Sequence, residues 1–298
     1  MKAPVIRTRI APTPSGFLHR GNAFNFLLCW LSAKAQGGEV WLRIDDVDGQ
    51  RTRPEYVEDV FATLDWLGIR PDAGPSGPED FYQHHSQQHR MEDYRQHLQQ
   101  LLDQGDAYAC TCSRAQIKAL SDNGRYPGTC RDKGLHQVPG AEYAIRAKLD
   151  QVAGDLSFDE SGQKTQAPDL RESMGDFVLW RKEDVAAYQL ASLIDDVTMG
   201  MTLIVRGQDL LDSTAAQRWL AKKLGLQSFE QVRFVHHGLV GGADGQKLSK
   251  SLGADALKTQ REAGASPATL YQDFARWQGW QESPDTLSAL LDCYQQNL

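Results

Sequence analysis

The chain has 298 residues, 39 of them acidic and 32 basic, which gives a formal net charge of −7 at pH 7. A hydrophobic content of 41% can form a substantial core, in one large domain or two small ones. The sequence has neither an apolar run of membrane-spanning length nor a charged-then-apolar leader, so we expect a soluble, cytoplasmic protein with no membrane partner, and we take a monomer as the default. Its acidic balance is not typical of a nucleic-acid binder, although a local basic face can lie on an acidic protein.

The first predicted elements are a strand, a tight loop and a helix. Residues 5–11 are mostly β-branched or apolar and predict a buried strand, which Pro12, Pro14 and Gly16 end. Residues 18–35 carry apolar side chains at helical spacing. In α/β domains this arrangement binds nucleotides, because free backbone N–H groups at a helix start favour phosphate.

Two residues at the predicted helix entrance suit a nucleotide. His19 can donate a hydrogen bond to a phosphate oxygen, and Gly21 leaves room for an adenine or ribose to approach the backbone. An ordinary strand-turn-helix unit with a surface histidine would show the same pattern. This patch therefore does not decide the function by itself.

Strands alternate with helices along much of the remaining chain, which predicts an α/β domain with a parallel sheet. Strands are predicted at 40–44, 202–205 and 232–236, and helices at 54–67, 90–104, 188–194 and 212–224. Residues 71–80 predict a loop, and the polar, cysteine-bearing residues 108–140 predict an inserted subdomain. The tail from residue 254 is predicted to be helical, with a break at residues 266–267.

A glycine-rich segment near the C-terminus ends in Lys247-Leu248-Ser249-Lys250-Ser251. Two lysines three residues apart can neutralise a triphosphate, and fixed cations lower the barrier when charge develops on a departing pyrophosphate. Two neighbouring lysines usually belong to a solvated basic loop, and it is the combination with the first patch that favours the nucleotide interpretation.

Together these motifs resemble a class I aminoacyl-tRNA synthetase of the glutamate/glutamine type, from about residue 5 to residue 258. Residues 9–22 (RIAPTPSGFLHRGN) resemble the "HIGH" region, and residues 247–251 resemble the "KMSKS" loop. Residues 42–48 resemble the "RIEDxD" segment, 188–196 the "YxxAxxxDD" segment and 204–210 the "VIRGxDL" segment. The resemblance implies a Rossmann-like, parallel-sheet catalytic domain with a zinc-bearing insertion and a short helical C-terminal tail.

The resemblance also implies a division of the chain and a narrower family. Residues 1–107 and 141–253 would form the two halves of the catalytic domain, 108–140 the zinc-binding insertion and 254–298 the helical tail. Little sequence follows Ser251, where full glutamyl- and glutaminyl-tRNA synthetases have a large anticodon-binding domain. This favours the glutamyl-Q tRNA(Asp) synthetases, which activate glutamate with ATP and attach it to the queuosine base in the anticodon loop of tRNA(Asp).

Site residues follow from the resemblance, position by position. Catalysis is assigned to His19, Lys247 and Lys250, and ATP binding, with Mg²⁺, to Pro12, His19, Gly21, Asn22 and Lys250. Glutamate binding is assigned to Arg9, Ala11, Thr13, Asp45, Tyr188, Ser192 and Arg206. An arginine fork suits a carboxylate, although Arg9 and Arg206 could also pair with the acidic residues of the chain.

Four positions depart from the family pattern. Asn22 replaces the second histidine of "HIGH" and cannot carry a charge, and Arg20 adds a cation near the phosphates. Asp45 replaces the glutamate expected to hold the substrate's α-amino group, and Ser192 stands where asparagine is usual. These departures leave two alternatives open: adenylation with transfer to a carrier protein or small amine, and a non-catalytic RNA-binding paralogue.

The five cysteines are an odd number, which favours thiols or a metal in a reducing compartment over a disulfide framework. Cys110-x-Cys112, followed by Tyr126-x-x-x-Cys130, resembles the structural zinc site of the narrower family. Water, Asp122 or His136 could replace Tyr126 as the fourth ligand, or the cysteines could be free thiols.

Overall fold

The computed structural model describes residues 5–121, 125–135, 143–149, 156–240 and 256–298. The chain separates into two compact units, the first containing residues 1–87, 202–208 and 235–298 and the second residues 88–201 and 209–234. No helix in the described ranges is long and apolar enough to cross a membrane. The four-segment division expected from the sequence remains a prediction.

The secondary structure confirms the predicted elements to within a few residues. The described strands are β1 (Arg7–Ile10), β2 (Glu39–Leu42), β3 (Ala107–Cys110), β4 (Ala144–Ala147), β5 (Phe158–Glu160), β6 (Gln163–Thr165), β7 (Val178–Trp180), β8 (Leu203–Gly207) and β9 (Arg233–His237). The described helices are α1 (Arg20–Lys34), α2 (Pro54–Trp66), α3 (Pro78–Asp80), α4 (Met91–Asp103), α5 (Arg114–Leu120), α6 (Leu170–Ser173), α7 (Tyr188–Thr198), α8 (Leu211–Leu224), α9 (Gln227–Glu230), α10 (Leu257–Glu262), α11 (Ala268–Gln278) and α12 (Leu287–Gln296). The short α3 ends the predicted loop at 71–80, because Pro78 supplies the backbone angle of a first helical turn.

In the first unit, β1 and β2 pair in parallel and α1 connects them. The register joins Arg7 to Glu39 and Ile10 to Leu42. β8 lies on the other side of β1, where the N–H of Thr202 donates to the carbonyl of Arg7 at 2.9 Å. This strand-helix-strand unit is the one predicted from the first patch.

The core of the first unit forms around α1, whose apolar side chains are buried on most sides. The C-terminal helices complete this core. The Phe24 ring lies 5.4 Å from the Phe274 ring of α11, and the Ser32 hydroxyl lies 3.0 Å from the Tyr294 hydroxyl of α12. The predicted helical tail therefore packs on the helix that follows the first patch.

The second unit corrects the expectation of a purely parallel sheet. β3, β4 and β7 form an antiparallel sheet, and β5 and β6 form a hairpin. β5 also pairs in parallel with β9 through Asp159 and Arg233. The fold is mixed α/β, with a parallel β1–β2 pair in the first unit and antiparallel β3–β4 and β4–β7 pairs in the second.

We expect Gly74→Ala to destabilise the first unit by about 2–3 kcal/mol. Gly74 has a φ of 108°, and a Cβ there would lie 2.2 Å from the carbonyl oxygen of Leu42. Gly77→Ala is the matched control, since a Cβ at Gly77 meets nothing within 4 Å. Urea denaturation measures both variants, and equal free energies of unfolding would contradict the expectation.

Candidate active site and metal centre

The first site residue, His19, caps the helix that follows it. Its Nδ1 accepts a hydrogen bond from the N–H of Gly21 at 3.1 Å, while Oδ1 of Asn22 accepts from the N–H of His19 at 3.0 Å. Because Nδ1 is an acceptor, the neutral imidazole carries its proton on Nε2, which can donate to a ligand. Two of the N–H groups expected to be free at the helix start are therefore engaged. The N–H of Gly21 donates to Nδ1 of His19, and the N–H of Asn22 donates to the carbonyl of His19.

Gly21 has a more specific role than the sequence indicated. A Cβ at this position would lie 3.0 Å from Cε1 and 3.2 Å from Nδ1 of His19. The space that glycine leaves therefore accommodates the imidazole itself. The neighbouring Arg20 forms an ion pair with Asp273 of α11 at 3.1 Å, so its charge is already engaged by a carboxylate.

Both described ends of the segment that contains the second patch adjoin the first patch. Val240 is the third-nearest neighbour of a Cβ built on Gly21, at 3.9 Å. Ala256 forms an antiparallel bridge with His19, and the N–H of Leu257 donates to the carbonyl of Leu18 at 2.9 Å. Lys247 and Lys250 lie between these ends, outside the described residues, and their catalytic roles remain predictions.

The acidic segment after β2 is also tied to the first patch. The N–H of Asp45 donates to the carbonyl of Pro12 at 2.9 Å. Its carboxylate is buried and accepts hydrogen bonds from Nε and Nη2 of Arg43, at 2.7 and 3.3 Å. The residue predicted to hold the substrate's α-amino group is therefore fixed in place by a neighbouring arginine.

Asp46, the next residue, anchors the same segment on its other side. Its carboxylate accepts hydrogen bonds from the Ser86 hydroxyl at 2.6 Å and from the N–H of Gln87 at 2.7 Å. The side chain of Gln87 in turn accepts from the N–H of Val47 at 2.8 Å. Sequence reasoning missed these partners, which lie about forty residues away.

Arg9 and Arg206 are buried cations of the first unit, in β1 and β8 respectively, with exposed fractions of 4% and 3%. Arg9 lies near Cys29 of α1, where burial raises the pKa of the thiol to about 12 and the charge of Arg9 acts in the opposite direction. Among the other residues assigned to substrates, Pro12 is buried, Ala11 is half-buried and Thr13 is exposed.

Tyr188 and Ser192 lie one turn apart in α7 of the second unit. The same helix carries Asp195, a buried carboxylate that accepts hydrogen bonds from Nε of Arg90 at 2.8 Å and from the hydroxyl of Tyr94 at 2.7 Å. This anchoring was not foreseen from the sequence. The roles of Tyr188 and Ser192 in glutamate binding remain predictions.

The structure brings the predicted metal ligands together in the second unit. The sulfur atoms of Cys110, Cys112 and Cys130 lie within 4.8 Å of one another, with 3.6 Å between Cys112 and Cys130. The Tyr126 oxygen lies 3.8 Å from the Cys112 sulfur. A tetrahedral zinc with Zn–S bonds of about 2.3 Å separates two sulfurs by about 3.8 Å, so this donor set fits the ion.

The proposed ligands differ in acidity, since burial raises the pKa of the Cys112 thiol and of the Tyr126 phenol, whereas the pKa of Cys130 shifts in the opposite direction. Burial acts to raise the pKa of Cys130, but hydrogen bonds involving Tyr126 and Thr111 outweigh it and lower this pKa to about 6. A thiolate is the form of cysteine that binds metals. Tyr126 is oriented by the N–H of Cys130, which donates to its oxygen at 2.8 Å. Asp122 and His136, the alternative ligands, lie outside the described residues.

Comparison with known proteins identifies the family. A sequence profile described as tRNA synthetases class I (E and Q), catalytic domain, matches residues 5–290. The chain belongs to this family. It is 39% identical over 294 residues to the Glutamyl-Q tRNA(Asp) synthetase of Symbiobacterium thermophilum, an alignment that covers 93% of this chain and 88% of that protein. It is 41% identical over 263 residues to the protein of the same name from Burkholderia cenocepacia, covering 86% of this chain and 83% of that protein.

A solved structure shows the fold of this family member. The glutamate-tRNA synthetase of Elizabethkingia anophelis matches with a TM-score of 0.75 at 24% sequence identity. The match covers 98% of this chain and 66% of the other, so the chain spans slightly less than two thirds of that synthetase. The resemblance drawn from the motifs, including the class I catalytic fold, is confirmed.

We expect Gly21→Ala to lower glutamate-dependent exchange of pyrophosphate into ATP by on the order of ten- to a hundredfold, because the added Cβ displaces the His19 imidazole. The stability of the fold should change little. Gly16→Ala is the control in the same loop, where a Cβ meets nothing within 4 Å. Equal exchange rates in the two variants would show that the position of the imidazole does not matter.

Proposed function

We propose that this protein activates L-glutamate with ATP as glutamyl-adenylate and transfers the glutamyl group to the queuosine base of tRNA(Asp). The observation that carries the proposal is the link between the acidic segment and the first patch, through the N–H of Asp45 and the carbonyl of Pro12. It brings a group suited to an amino acid next to a group suited to a phosphate. The names and the near-complete coverage of the curated relatives support the same acceptor.

Activation is a displacement at the α-phosphorus of ATP. An oxygen of the glutamate α-carboxylate forms a bond to this phosphorus, and the bond to the departing pyrophosphate breaks. Nε2 of His19 donates to a phosphate oxygen, and Lys247 and Lys250 neutralise the triphosphate, which binds with Mg²⁺. Pro12, Gly21 and the amide of Asn22 border the nucleotide. Such catalysis consists mainly of positioning and electrostatic stabilisation.

Recognition of glutamate rests on buried charges in the first unit. The guanidinium groups of Arg9 and Arg206 suit the side-chain carboxylate, since arginine forms paired hydrogen bonds to carboxylates. Asp45 accepts from the α-ammonium group, directly or through a water, while Arg43 holds the carboxylate in one orientation. We assign four further residues to glutamate binding from their positions in the family motifs: Ala11, Thr13, Tyr188 and Ser192.

The second step moves the glutamyl group to RNA. A nucleophilic group of the queuosine base attacks the adenylate carbonyl carbon, a bond to this carbon forms, and AMP leaves with the bonding electrons. We place this reaction in the cytoplasm and assign it to a monomer. The anticodon loop of tRNA(Asp) must then reach the adenylate.

Transfer of radiolabelled glutamate tests this function. Label should appear on tRNA(Asp) that carries queuosine and not on the same tRNA without that base. The linkage should survive periodate oxidation of the 3′ end, because the acceptor is a base. Label on a carrier protein or a small amine, with none on tRNA, would contradict the proposal.

We also propose that the cluster of Cys110, Cys112, Tyr126 and Cys130 holds a structural zinc. When bound, the ion would cross-link a segment that has only a small hydrophobic cluster of its own. The supporting observations are the sulfur separations, the low pKa of Cys130 and the oriented Tyr126 oxygen.

Elemental analysis should find about one zinc per chain, and Cys112→Ser should lose it and lower the melting temperature. Cys293→Ser, which replaces a buried cysteine of α12 outside the cluster, should keep the metal. Wild-type protein that melts cooperatively and stays fully active after exhaustive removal of metal would contradict a structural role.

A further inference from the structure

The second unit contains a cleft beside the metal cluster that the proposed reaction does not use. Its volume is about 640 Å³, and its walls include Arg114, Lys118, Arg146, Tyr126 and Met174. Pockets that hold small ligands commonly measure about 300–1,000 Å³. Among the described residues that line it, three side chains are cations and none is a carboxylate. The composition of the walls therefore favours an anionic occupant.

Arg146 is the deepest of the three cations, with only 8% of its surface exposed. Its guanidinium carbon lies 3.9 Å from the centre of the Tyr126 ring, and Nη1 donates to the backbone carbonyl of Asp176 at 2.9 Å. The Asp176 carboxylate is engaged elsewhere, by Nε of Arg131 at 2.9 Å and by the Tyr108 hydroxyl at 2.5 Å.

The guanidinium of Arg146 is buried with incomplete hydrogen bonding. Within the described ranges the guanidinium of Arg146 meets a ring face and a carbonyl, and its buried Nε has no hydrogen-bond partner. Burying a cation is costly unless an anion or several hydrogen bonds compensate it. A ligand anion in the cleft would supply that compensation.

The other two cations come from one helix face. Arg114 and Lys118 are four residues apart in α5, and side chains at that spacing project from the same side. Both are exposed, whereas Arg146 is buried. Exposed cations at the mouth and a buried, stacked guanidinium inside suit a phosphate on a larger molecule, while Met174 offers an apolar contact.

We propose that this cleft binds a backbone phosphate of the RNA substrate. The inference rests on the proposed function, because it takes tRNA(Asp) to be the RNA that the protein binds. Arginine and lysine contacts to phosphate give RNA binding its electrostatic and salt-dependent part. A cationic cleft also explains how an acidic protein can bind RNA, because one local basic surface is sufficient.

The test measures the affinity of the full chain for tRNA(Asp) by fluorescence anisotropy at several salt concentrations. The variant is Arg114→Gln/Lys118→Gln, and the control Lys133→Gln/Lys164→Gln removes the same charge from exposed positions of the second unit outside the cleft. The variant should bind at least about tenfold more weakly, and its logarithmic salt dependence should fall by about 1–2. The control should match the wild type.

Arg146→Lys keeps the positive charge but loses the planar guanidinium, so it should also weaken tRNA binding. Melting curves show whether each variant is folded. Equal tRNA affinity and salt dependence in the Arg114/Lys118 variant and the control would overturn the inference. The inference would also be overturned if inorganic phosphate raised the melting temperature of the wild type but not of the Arg114/Lys118 variant, while that variant bound tRNA normally. Failure of the proposed function would instead appear as tRNA binding without glutamate transfer.

Discussion

The site is organised by a buried ion pair at the end of β2. Arg43 donates two hydrogen bonds, from Nε and Nη2, to the Asp45 carboxylate. The N–H of Arg43 donates to the carbonyl of Ile10, and the N–H of Asp45 donates to the carbonyl of Pro12, so both residues are also tied to the first patch. Removal of either partner would leave a buried charge without its ion-pair partner, and breaking a buried ion pair typically costs about 3–5 kcal/mol. The pair therefore fixes the acidic segment relative to the patch that we propose holds the nucleotide.

In the first patch, residues to which we assign catalytic or nucleotide-binding roles also stabilise the start of α1. His19 caps α1 through Nδ1 and thereby presents a protonated Nε2, and Gly21 keeps the imidazole in place. The described chain returns to this point at Val240 and at Ala256, on either side of the lysine segment. The start of α1 thus lies beside both described ends of the segment that carries the lysines.

Local patterns in the sequence predicted the helices and the parallel β1–β2 pair, because spacing and turn residues encode them directly, whereas the cysteine cluster was expected from the family resemblance. The spacing of Arg43 and Asp45, two apart on an extended chain, could also have indicated their pairing. The bonds of Tyr94 to Asp195 and of Arg146 to Asp176 could not be foreseen, since only the tertiary fold brings those residues together. The antiparallel pairing of β3, β4 and β7 in the second unit was not predicted for the same reason.

The central claim is that the buried cations Arg9 and Arg206 select the side-chain carboxylate of glutamate. The most direct measurement is exchange of pyrophosphate into ATP by the purified protein, without tRNA, in the presence of L-glutamate, L-glutamine or L-aspartate. The account predicts exchange with glutamate that exceeds exchange with either of the other two amino acids. Faster exchange with glutamine or aspartate would contradict it.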